Sequence, residues 1–257
     1  MKKVLILAAA LLVFSGQVSA QPPLTYDLFY GLPGGAGSMG ADIGILNNKL
    51  SSIGDSTDVP VMVKKSFNDN LEVGARATLG FLREGDGSFE SLVVGGKYKL
   101  GENNALSVGV LLPLGGSDKP GLAVGYMMSM EAAGLMWNNQ LHLGLLDGHT
   151  NPADKNATTT VADSSSGGMS SPQTGILVDI LLEPYKELND KMVGYLDILI
   201  GTNTDDIGGD PLGINLGPNL DYILSEDLAV NIGITIGIAG DGKADDPGIG
   251  IILLKFM

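Results

Sequence analysis

Residues 228–239, which read LAVNIGITIGIA, decide the fold. Large apolar side chains occupy every second position, and small or polar side chains occupy the positions between them. A period of two places alternate side chains on opposite faces of a β-strand, whereas a helix repeats every 3.6 residues. The stretch therefore predicts a strand with one apolar face (Leu228, Val230, Ile232, Ile234, Ile236, Ile238) and one small or polar face (Ala229, Asn231, Gly233, Thr235, Gly237, Ala239).

The same alternation recurs along the chain. It is present in LEVGARATLGF (71–81), GLAVGYMMSME (121–131) and LMWNNQLHLGLL (135–146), where Asn139 interrupts the apolar set. Two environments account for such strands. In a soluble sandwich or lipocalin-like barrel the apolar face packs inward, whereas in an outer-membrane barrel it faces lipid and the polar face lines the lumen.

Strand length and the composition of the second face favour the membrane. The alternating stretches run for about 9 to 13 residues, which suits a tilted transmembrane strand and exceeds the usual soluble length of about 5 to 6. Their second face consists largely of Gly, Ala, Ser and Asn with some charge. A sheet facing bulk water would carry more Lys, Glu and Thr, so a confined lumen explains this face better.

The connections between these stretches alternate in length. Short periplasmic turns and longer outer loops are typical of bacterial barrels. Five turns and six loops join twelve strands, so we predict an all-β, antiparallel, up-and-down transmembrane barrel of about twelve strands, with residues 24–30 as either an extra strand or an N-terminal latch. The short turns are 68–70, 102–104, 132–134, 188–190 and 225–227, and the longer segments are about 48–57, 83–90, 115–120, 147–173, 204–210 and 240–247.

Aromatic residues cluster near the short turns and the C-terminus, on the apolar face. Aromatic side chains are enriched where a barrel crosses the membrane interface. We therefore predict a girdle at the periplasmic interface, which Tyr126 in the middle of its strand does not join. Its members are Phe67, Tyr98, Trp137, Tyr222 and Phe256.

The first twenty residues predict export. Lys2 and Lys3 precede an apolar run of eleven residues, 4–14, and Val18-Ser19-Ala20 offers the small-x-small pattern of a signal-peptidase site. The run is too short for a membrane helix, which needs about 20 residues. We expect cleavage after Ala20, a mature barrel domain of 257 − 20 = 237 residues (21–257), and a location in the Gram-negative outer membrane.

Composition excludes several classes of function. The chain has no cysteine, which removes disulfides and thiolate metal sites. The formal charge of −14 becomes −16 without Lys2 and Lys3, and this acidity argues against nucleic-acid binding, because phosphates need basic surfaces. A hydrophobic share of 44% is the opposite of the composition of disordered chains.

Residues 35–40, GAGSMG, satisfy the dinucleotide-binding pattern G-x-G-x-x-G. That pattern holds a pyrophosphate only between a buried parallel strand and the N-terminus of a helix. Here a strand-like run, MGADIGIL (39–46), follows it in a chain with 38 glycines. We interpret the stretch as a flexible entry to the first strand, and we predict no cofactor.

The alternation places a set of charged side chains in the lumen. A charge at the bilayer midplane costs about 2–4 kcal/mol for Arg or Lys, so the lumen is their expected place. They either form ion pairs that stabilise the wall or bias a pore toward certain solutes. These pore-lining candidates are Lys64, Glu72, Arg76, Lys97, Lys99, Glu131, Asp179, Glu183, Asp197 and Asp221.

The predicted outer loops offer no recognisable site. Acidic segments 83–87, 204–210 and 240–246 could supply oxygen ligands for Ca²⁺, but none has the spacing of an EF-hand, so we expect solvated charge and no bound metal. Residues 151–174 are of low complexity and predict a mobile outer loop.

An outer-membrane lipid hydrolase is the enzymatic alternative. It needs a serine, a histidine and an orienting Asn or Asp at one site. The chain has two histidines. His142 is predicted to face the lumen, and His149 lies in the predicted outer loop 147–173. No G-x-S-x-G motif is present, so we predict that the protein is not an enzyme.

The stretch SLVVGGKYKLGENNALSVGVLLPLG (91–115) resembles a strand–turn–strand passage of the barrel family named after the meta-pathway of phenol degradation. The resemblance rests on a G-x-K-Y-x-L-type strand, a short polar turn and an L-P-x-G strand end, and it covers about 25 residues. It implies an outer-membrane transporter of aromatic or other hydrophobic compounds. One departure is the C-terminus, where Phe256 is followed by Met257 although bacterial barrels usually end in an aromatic residue.

The sequence thus predicts a passive outer-membrane channel for small, possibly hydrophobic or aromatic, molecules. A structural or adhesive barrel without transport is the alternative. The expected partners are outer-membrane lipid and lipopolysaccharide, the barrel-assembly machinery and a small-molecule solute, with no nucleic acid.

Overall fold

A computed structural model describes residues 32–47, 57–81, 88–112, 120–145, 176–203, 212–240 and 247–256. These residues form twelve strands and, among them, no helix that is long and apolar enough to span a bilayer. The strands are β1 (Met39–Asn47), β2 (Thr57–Ser66), β3 (Leu71–Phe81), β4 (Ser88–Gly101), β5 (Asn104–Leu111), β6 (Gly121–Ala132), β7 (Leu135–Leu145), β8 (Ile176–Asn189), β9 (Met192–Asn203), β10 (Leu212–Ser225), β11 (Leu228–Ala239) and β12 (Gly248–Phe256).

The sheet closes on itself. Every strand pairs antiparallel with its neighbours in sequence, and β1 pairs with β12, with Ile43 opposite Leu253. Closure leaves no unpaired edge, which is how a sheet satisfies its backbone hydrogen bonds in lipid. The predicted twelve-stranded up-and-down barrel is confirmed. Residues 1–20 and 24–30, for which a signal peptide and an extra strand or latch were predicted, lie outside the described residues.

The two faces of the barrel have opposite chemistry. On β11, Ile232 is 43% exposed and Ile234 is 37% exposed, whereas Asn231 and Thr235 between them are each 6% exposed. Large apolar side chains on the outer face are similarly exposed on nearly every strand, from Ile43 of β1 round to Leu253 of β12. A soluble monomer rarely exposes so continuous an apolar surface. The outer face therefore has the chemistry of a lipid-facing wall, and the fold is that of a transmembrane barrel.

Asn139 is the exception on the outer face. Alternation along β7 places it between Trp137 and Leu141, yet it is only 8% exposed. Its register partners are Met128 on β6 and Leu182 on β8. Both partners are apolar, so burial beside them makes this polar group costly unless its amide is hydrogen-bonded.

Short turns gather at one end of the barrel. They comprise 67–70, 102–103, 133–134, 190–191 and 226–227, close to the predicted positions. Asn68 Oδ1 closes the first of them by accepting from the backbone N–H groups of Asn70 and Leu71, each at 2.9 Å. Asn189 Oδ1 accepts from Lys191 N in the same way, so asparagine stabilises two of these turns.

The turn between β6 and β7 contains a strained alanine. Ala133 has φ +54° and Gly134 has φ +74°, so both central residues are left-handed, as a type I′ hairpin requires. A left-handed conformation costs an L-residue other than Asn or Asp about 1–2 kcal/mol. We expect Ala133→Asn to stabilise the barrel by about 0.5–1 kcal/mol, measured as the free energy of unfolding in denaturant.

The matched control is Ala132→Asn at the last residue of β6. Ala132 does not have a positive φ, so the same substitution there should give no gain. Equal changes at positions 132 and 133 would contradict the assignment of the strain to Ala133.

The GAGSMG segment forms a turn that leads into β1. Gly35 (φ +87°) and Gly37 (φ +83°) adopt left-handed conformations. Gly37 N donates to Ser66 O at 3.0 Å, and Ser66 N donates to Ser38 O at 2.9 Å, so the turn joins the end of β2. A strand follows at Met39, as predicted, whereas dinucleotide binding would need a helix there.

Candidate functional site

The inner face of the barrel collects the charged residues that the alternation predicted. Lys99 is half-buried near the end of β4, and Glu131 is exposed near the end of β6, so both lie close to the short-turn rim. The other eight candidates are each at most 8% exposed: Lys64, Glu72, Arg76, Lys97, Asp179, Glu183, Asp197 and Asp221. That these side chains line a conducting pore stays a prediction.

Glu72 is the centre of a buried ionic cluster. Its Oε1 lies 2.8 Å from Lys97 Nζ and 3.2 Å from Lys64 Nζ. Its Oε2 accepts from Ser66 Oγ at 3.0 Å and from Gly34 N at 3.1 Å. Strands β2, β3 and β4 and the chain before β1 thus meet at one carboxylate, which two buried ammonium groups share.

The turn before β1 is fastened by a second carboxylate. Ala36 N donates to Asp69 Oδ1 at 2.9 Å, and Ser38 Oγ donates to Gly35 O at 2.9 Å. A Cβ added at Gly34 would lie 2.7 Å from Ser38 Oγ, so a larger residue there would force the Ser38 hydroxyl to move. The chain therefore enters β1 across the short-turn rim, with Gly34 beside the inward-facing side chain of Glu72.

On the other side of the barrel, asparagine amides hold inward-facing carboxylates. Asn138 Nδ2 donates to Glu183 Oε1 at 3.0 Å, and Asn138 Oδ1 accepts from Ser129 Oγ at 2.7 Å. Asn219 Nδ2 donates to Asp197 Oδ2 at 2.9 Å. These bonds orient the carboxylates.

A tyrosine joins the third of these carboxylates. Asn231 Nδ2 donates to Asp221 Oδ1 at 2.7 Å and lies 2.6 Å from Tyr195 Oη. The hydroxyl of Tyr195 also donates to Asp221 Oδ1, at the longer distance of 3.4 Å. Three adjacent strands, β9, β10 and β11, are linked through this network.

His142 lies beside Asp179. Its Nδ1 is 3.8 Å from Asp179 Oδ2, and both side chains are nearly fully buried. Its register partners on the neighbouring strands are Gly125 and Asp179. His149, the other histidine weighed for hydrolysis, lies outside the described residues.

Sequence reasoning missed the hydroxyl and amide members of this inner face. Alternation puts Ser129, Asn138 and Asn231 on the polar face but assigns them no role, and Tyr195 and Asn219 were not singled out. Alternation offers a signal for both: Tyr195 is two residues before Asp197, and Asn219 is two residues before Asp221. No spacing rule, however, pairs Asn138 with Glu183, which is 45 residues away.

The aromatic residues lie near the short-turn end of the barrel. Phe67 is 61% exposed in the first turn, and Tyr98 (53%) and Tyr222 (39%) lie on the outer face near the ends of β4 and β10. Trp137 is half-buried, and its indole Nε1 donates to Ala132 O at 3.1 Å. Phe256 ends β12, although its side chain is outside the described part. Their role as a membrane-interface girdle stays a prediction.

The described residues contain no group of three or more His, Asp or Glu side chains arranged to hold a metal ion. What the inner face offers is an array of fixed charges and hydrogen-bonding groups inside a closed wall.

Closed antiparallel topology, an apolar outer face and a polar, charged inner face together define a transmembrane β-barrel of the outer-membrane type. Solved structures of this type share the fold. An outer-membrane channel from Pseudomonas putida F1 superposes with a TM-score of 0.55 at 11% identity, covering 89% of this chain and 98% of that chain. The NanC porin gives a TM-score of 0.55 at 10% identity, covering 85% of this chain and 99% of that chain.

Sequence comparison adds no family to this structural likeness. No protein-family model matches the chain. No curated protein matches it either. The resemblance of residues 91–115 to the phenol meta-pathway barrels therefore stays a prediction, and the identities of 10–11% support the fold alone.

Proposed function

We propose that this protein is a passive channel for small molecules in the outer membrane of a Gram-negative bacterium. The observation that carries the proposal is the inner face, where charged and amide side chains crowd a closed barrel whose outside is apolar. An enclosed polar surface of this kind suits water and solutes. A barrel through which no solute passes could instead fill its core with apolar side chains.

The same proposal includes the parts of the chain that precede the barrel and the partners that build it. Residues 1–20 act as a signal peptide cleaved after Ala20, and residues 21–257 form a single barrel domain. The barrel-assembly machinery inserts the domain beside lipid and lipopolysaccharide. We propose no nucleic-acid partner, since the chain is acidic and phosphates need basic surfaces.

The proposal extends to the chemical class of the solute. The polar inner face supports small polar solutes, whereas the resemblance of residues 91–115 implies hydrophobic or aromatic ones. Inward-facing Met62, Val93 and Leu111 are buried and give the second class some support. Liposome swelling with polar and aromatic solutes of similar size would rank the two classes.

A structural barrel without transport is the second candidate. The observation that favours it is the close packing of inward-facing side chains, since Lys97, Glu183 and Asp221 are each only 1% exposed. A barrel filled in this way gains wall stability from its ion pairs and need not conduct.

Conductance in planar lipid bilayers separates the two candidates. We expect stepwise single-channel currents from protein whose folding is verified by heat-modifiable migration on gels. Correctly folded protein that gives no current, in ions or in swelling assays, would establish the structural barrel instead.

A pair of lysines at the short-turn rim tests whether ions pass through the lumen. Lys99 is inward-facing and half-buried, and Lys65 lies exposed on the outer face, 5.9 Å from the ring of Phe67. We expect Lys99→Gln to lower chloride relative to potassium permeability by about twofold, because the lost charge lies beside the path. Lys65→Gln is the control and should leave the ratio unchanged. Equal shifts would contradict passage through the barrel interior.

A further inference from the structure

Two polar side chains of the inner face converge on a glycine. Gly125 occupies an inward-facing position of β6, and its register partners are Ser107 on β5 and His142 on β7. Gln140 lies on β7, two residues before His142. A Cβ added at Gly125 would lie 2.5 Å from Ser107 Oγ and 2.7 Å from Gln140 Nε2. The hydroxyl and the amide therefore lie over the backbone of Gly125.

Both of these side chains are buried with polar atoms that are not hydrogen-bonded. Ser107 is 0% exposed and Gln140 is 4% exposed. Across the described part of the chain, Ser107 Oγ finds no hydrogen-bond partner, and neither end of the Gln140 amide finds one. Folded proteins pair nearly all buried polar groups, either with other protein groups or with ordered water. The convergence of such atoms on one spot indicates a bound ligand that can hydrogen-bond to them.

The distance between the two groups suits a single bridging molecule. Because both atoms lie close to one point, Ser107 Oγ and Gln140 Nε2 are at most 5.2 Å apart, the sum of their two distances from that point. They make no hydrogen bond to each other. A water molecule can bridge polar atoms up to roughly 5.8 Å apart, since each of its two hydrogen bonds spans about 2.9 Å. One water therefore reaches both groups.

The space beside Gln140 is of the size of a water molecule. Gln140 lines a small cavity between β6, β7 and β8 with a volume of about 10 Å³, which is close to the room that one water needs. A buried water is held by two to four polar partners. The Gln140 amide offers a donor and an acceptor, and the Ser107 hydroxyl can act as either. A ligand much larger than water would not fit.

We propose that Ser107 and Gln140 bind an ordered water molecule over Gly125. Gln140 Nε2 donates to the water oxygen, and the water donates to Ser107 Oγ. This bridge links β5 to β7 across β6, at the point where Gly125 has no side chain to make the link. The bridge is a property of the barrel wall, so it forms whether or not the barrel conducts.

Nuclear magnetic resonance of the folded barrel in detergent micelles tests this site. In protein with ¹⁵N-labelled glutamine, the side-chain NH₂ protons of Gln140 should show a cross-peak to water. A bound water gives cross-peaks of opposite sign in the laboratory-frame and rotating-frame experiments, whereas hydrogen exchange gives the same sign in both. The signal that disappears in Gln140→Leu identifies the NH₂ group of Gln140.

Gly125→Ala is the variant that displaces the water. It keeps Ser107 and Gln140 but places a methyl group against both polar atoms, so we expect the cross-peak to weaken by at least about fivefold. A signal relayed by exchange through the Ser107 hydroxyl would survive this change. Gly44→Ala is the matched control, because the added Cβ would meet only apolar side-chain atoms, of Ile252 and Pro60, at 3.1 Å. It should leave the cross-peak unchanged.

A crystal structure of the wild-type barrel provides a second measurement that needs no variant. We expect density for one water within about 3.2 Å of both Ser107 Oγ and Gln140 Nε2. A direct hydrogen bond between these two side chains, density for a larger solute, or a wild-type barrel without the water cross-peak would overturn the proposal. A full cross-peak in folded Gly125→Ala would overturn it as well. None of these results depends on conductance, so the channel is tested separately.

Discussion

Replacement of Glu72 by glutamine is expected to lower the free energy of unfolding by about 3–5 kcal/mol, the usual effect of removing one partner from a buried ionic network. The change keeps the shape of the side chain but leaves the ammonium groups of Lys64 and Lys97 facing each other without the carboxylate between them. Both lysine side chains are at most 5% exposed, so water cannot take over the role of the carboxylate. Denaturant titration of the folded barrel in detergent would measure the loss.

A double-mutant cycle with Lys97→Met sharpens this prediction. Removing one ammonium together with the carboxylate should recover about 1–3 kcal/mol relative to the sum of the single changes, because the two groups are in contact at 2.8 Å. Glu102→Gln in the exposed turn at the same rim is the control, and its expected effect is within about 0.5 kcal/mol. A Glu72→Gln barrel as stable as the control would mean that water reaches the cluster.

The second large effect concerns which face of the sheet meets lipid. Ile232→Lys near the middle of β11 is expected to destabilise the barrel by about 2–4 kcal/mol in lipid vesicles, because its ammonium group would face hydrocarbon. Ile232 lies on the outer face and is 43% exposed. The efficiency of folding into vesicles, together with the unfolding midpoint, would show the change.

The neighbouring residue provides the matched control. Asn231→Lys introduces the same group one position away, where the side chain points inward and Asn231 already contacts Asp221 at 2.7 Å. An ammonium group there would meet a carboxylate, so we expect a smaller loss than at Ile232. Equal losses at the two positions, or a larger loss at Asn231, would contradict the assignment of the faces.

Alternation alone was enough for the strands and their faces. Leu228–Ala239 was read from the sequence as one strand with isoleucines on one face and is β11 in the structure. The reason is that the period of two is a local property of an extended chain. Every strand of the barrel also needs an apolar face toward lipid and a polar face toward the lumen, so the same pattern recurs on each strand. Turn residues such as Asn68 and Gly134 likewise act over a few positions, so the connections were also predictable.

The partners across the inner face were not predictable in this way. Sequence alternation placed Lys97 and Glu72 on one side of the sheet, but their contact depends on the register between β3 and β4. Asn138 with Glu183 and Asn231 with Tyr195 depend in the same way on register, and Gly34 reaches Glu72 only because the chain turns at Gly35 and Gly37.

The sequence by itself therefore determined the class of fold, the number of strands and the direction in which most strand side chains point, because these follow from the local period and from the length of the connections. Only the tertiary structure decided which charges meet, because those contacts depend on the register between strands. Closure between β1 and β12 likewise joins residues that are far apart along the chain.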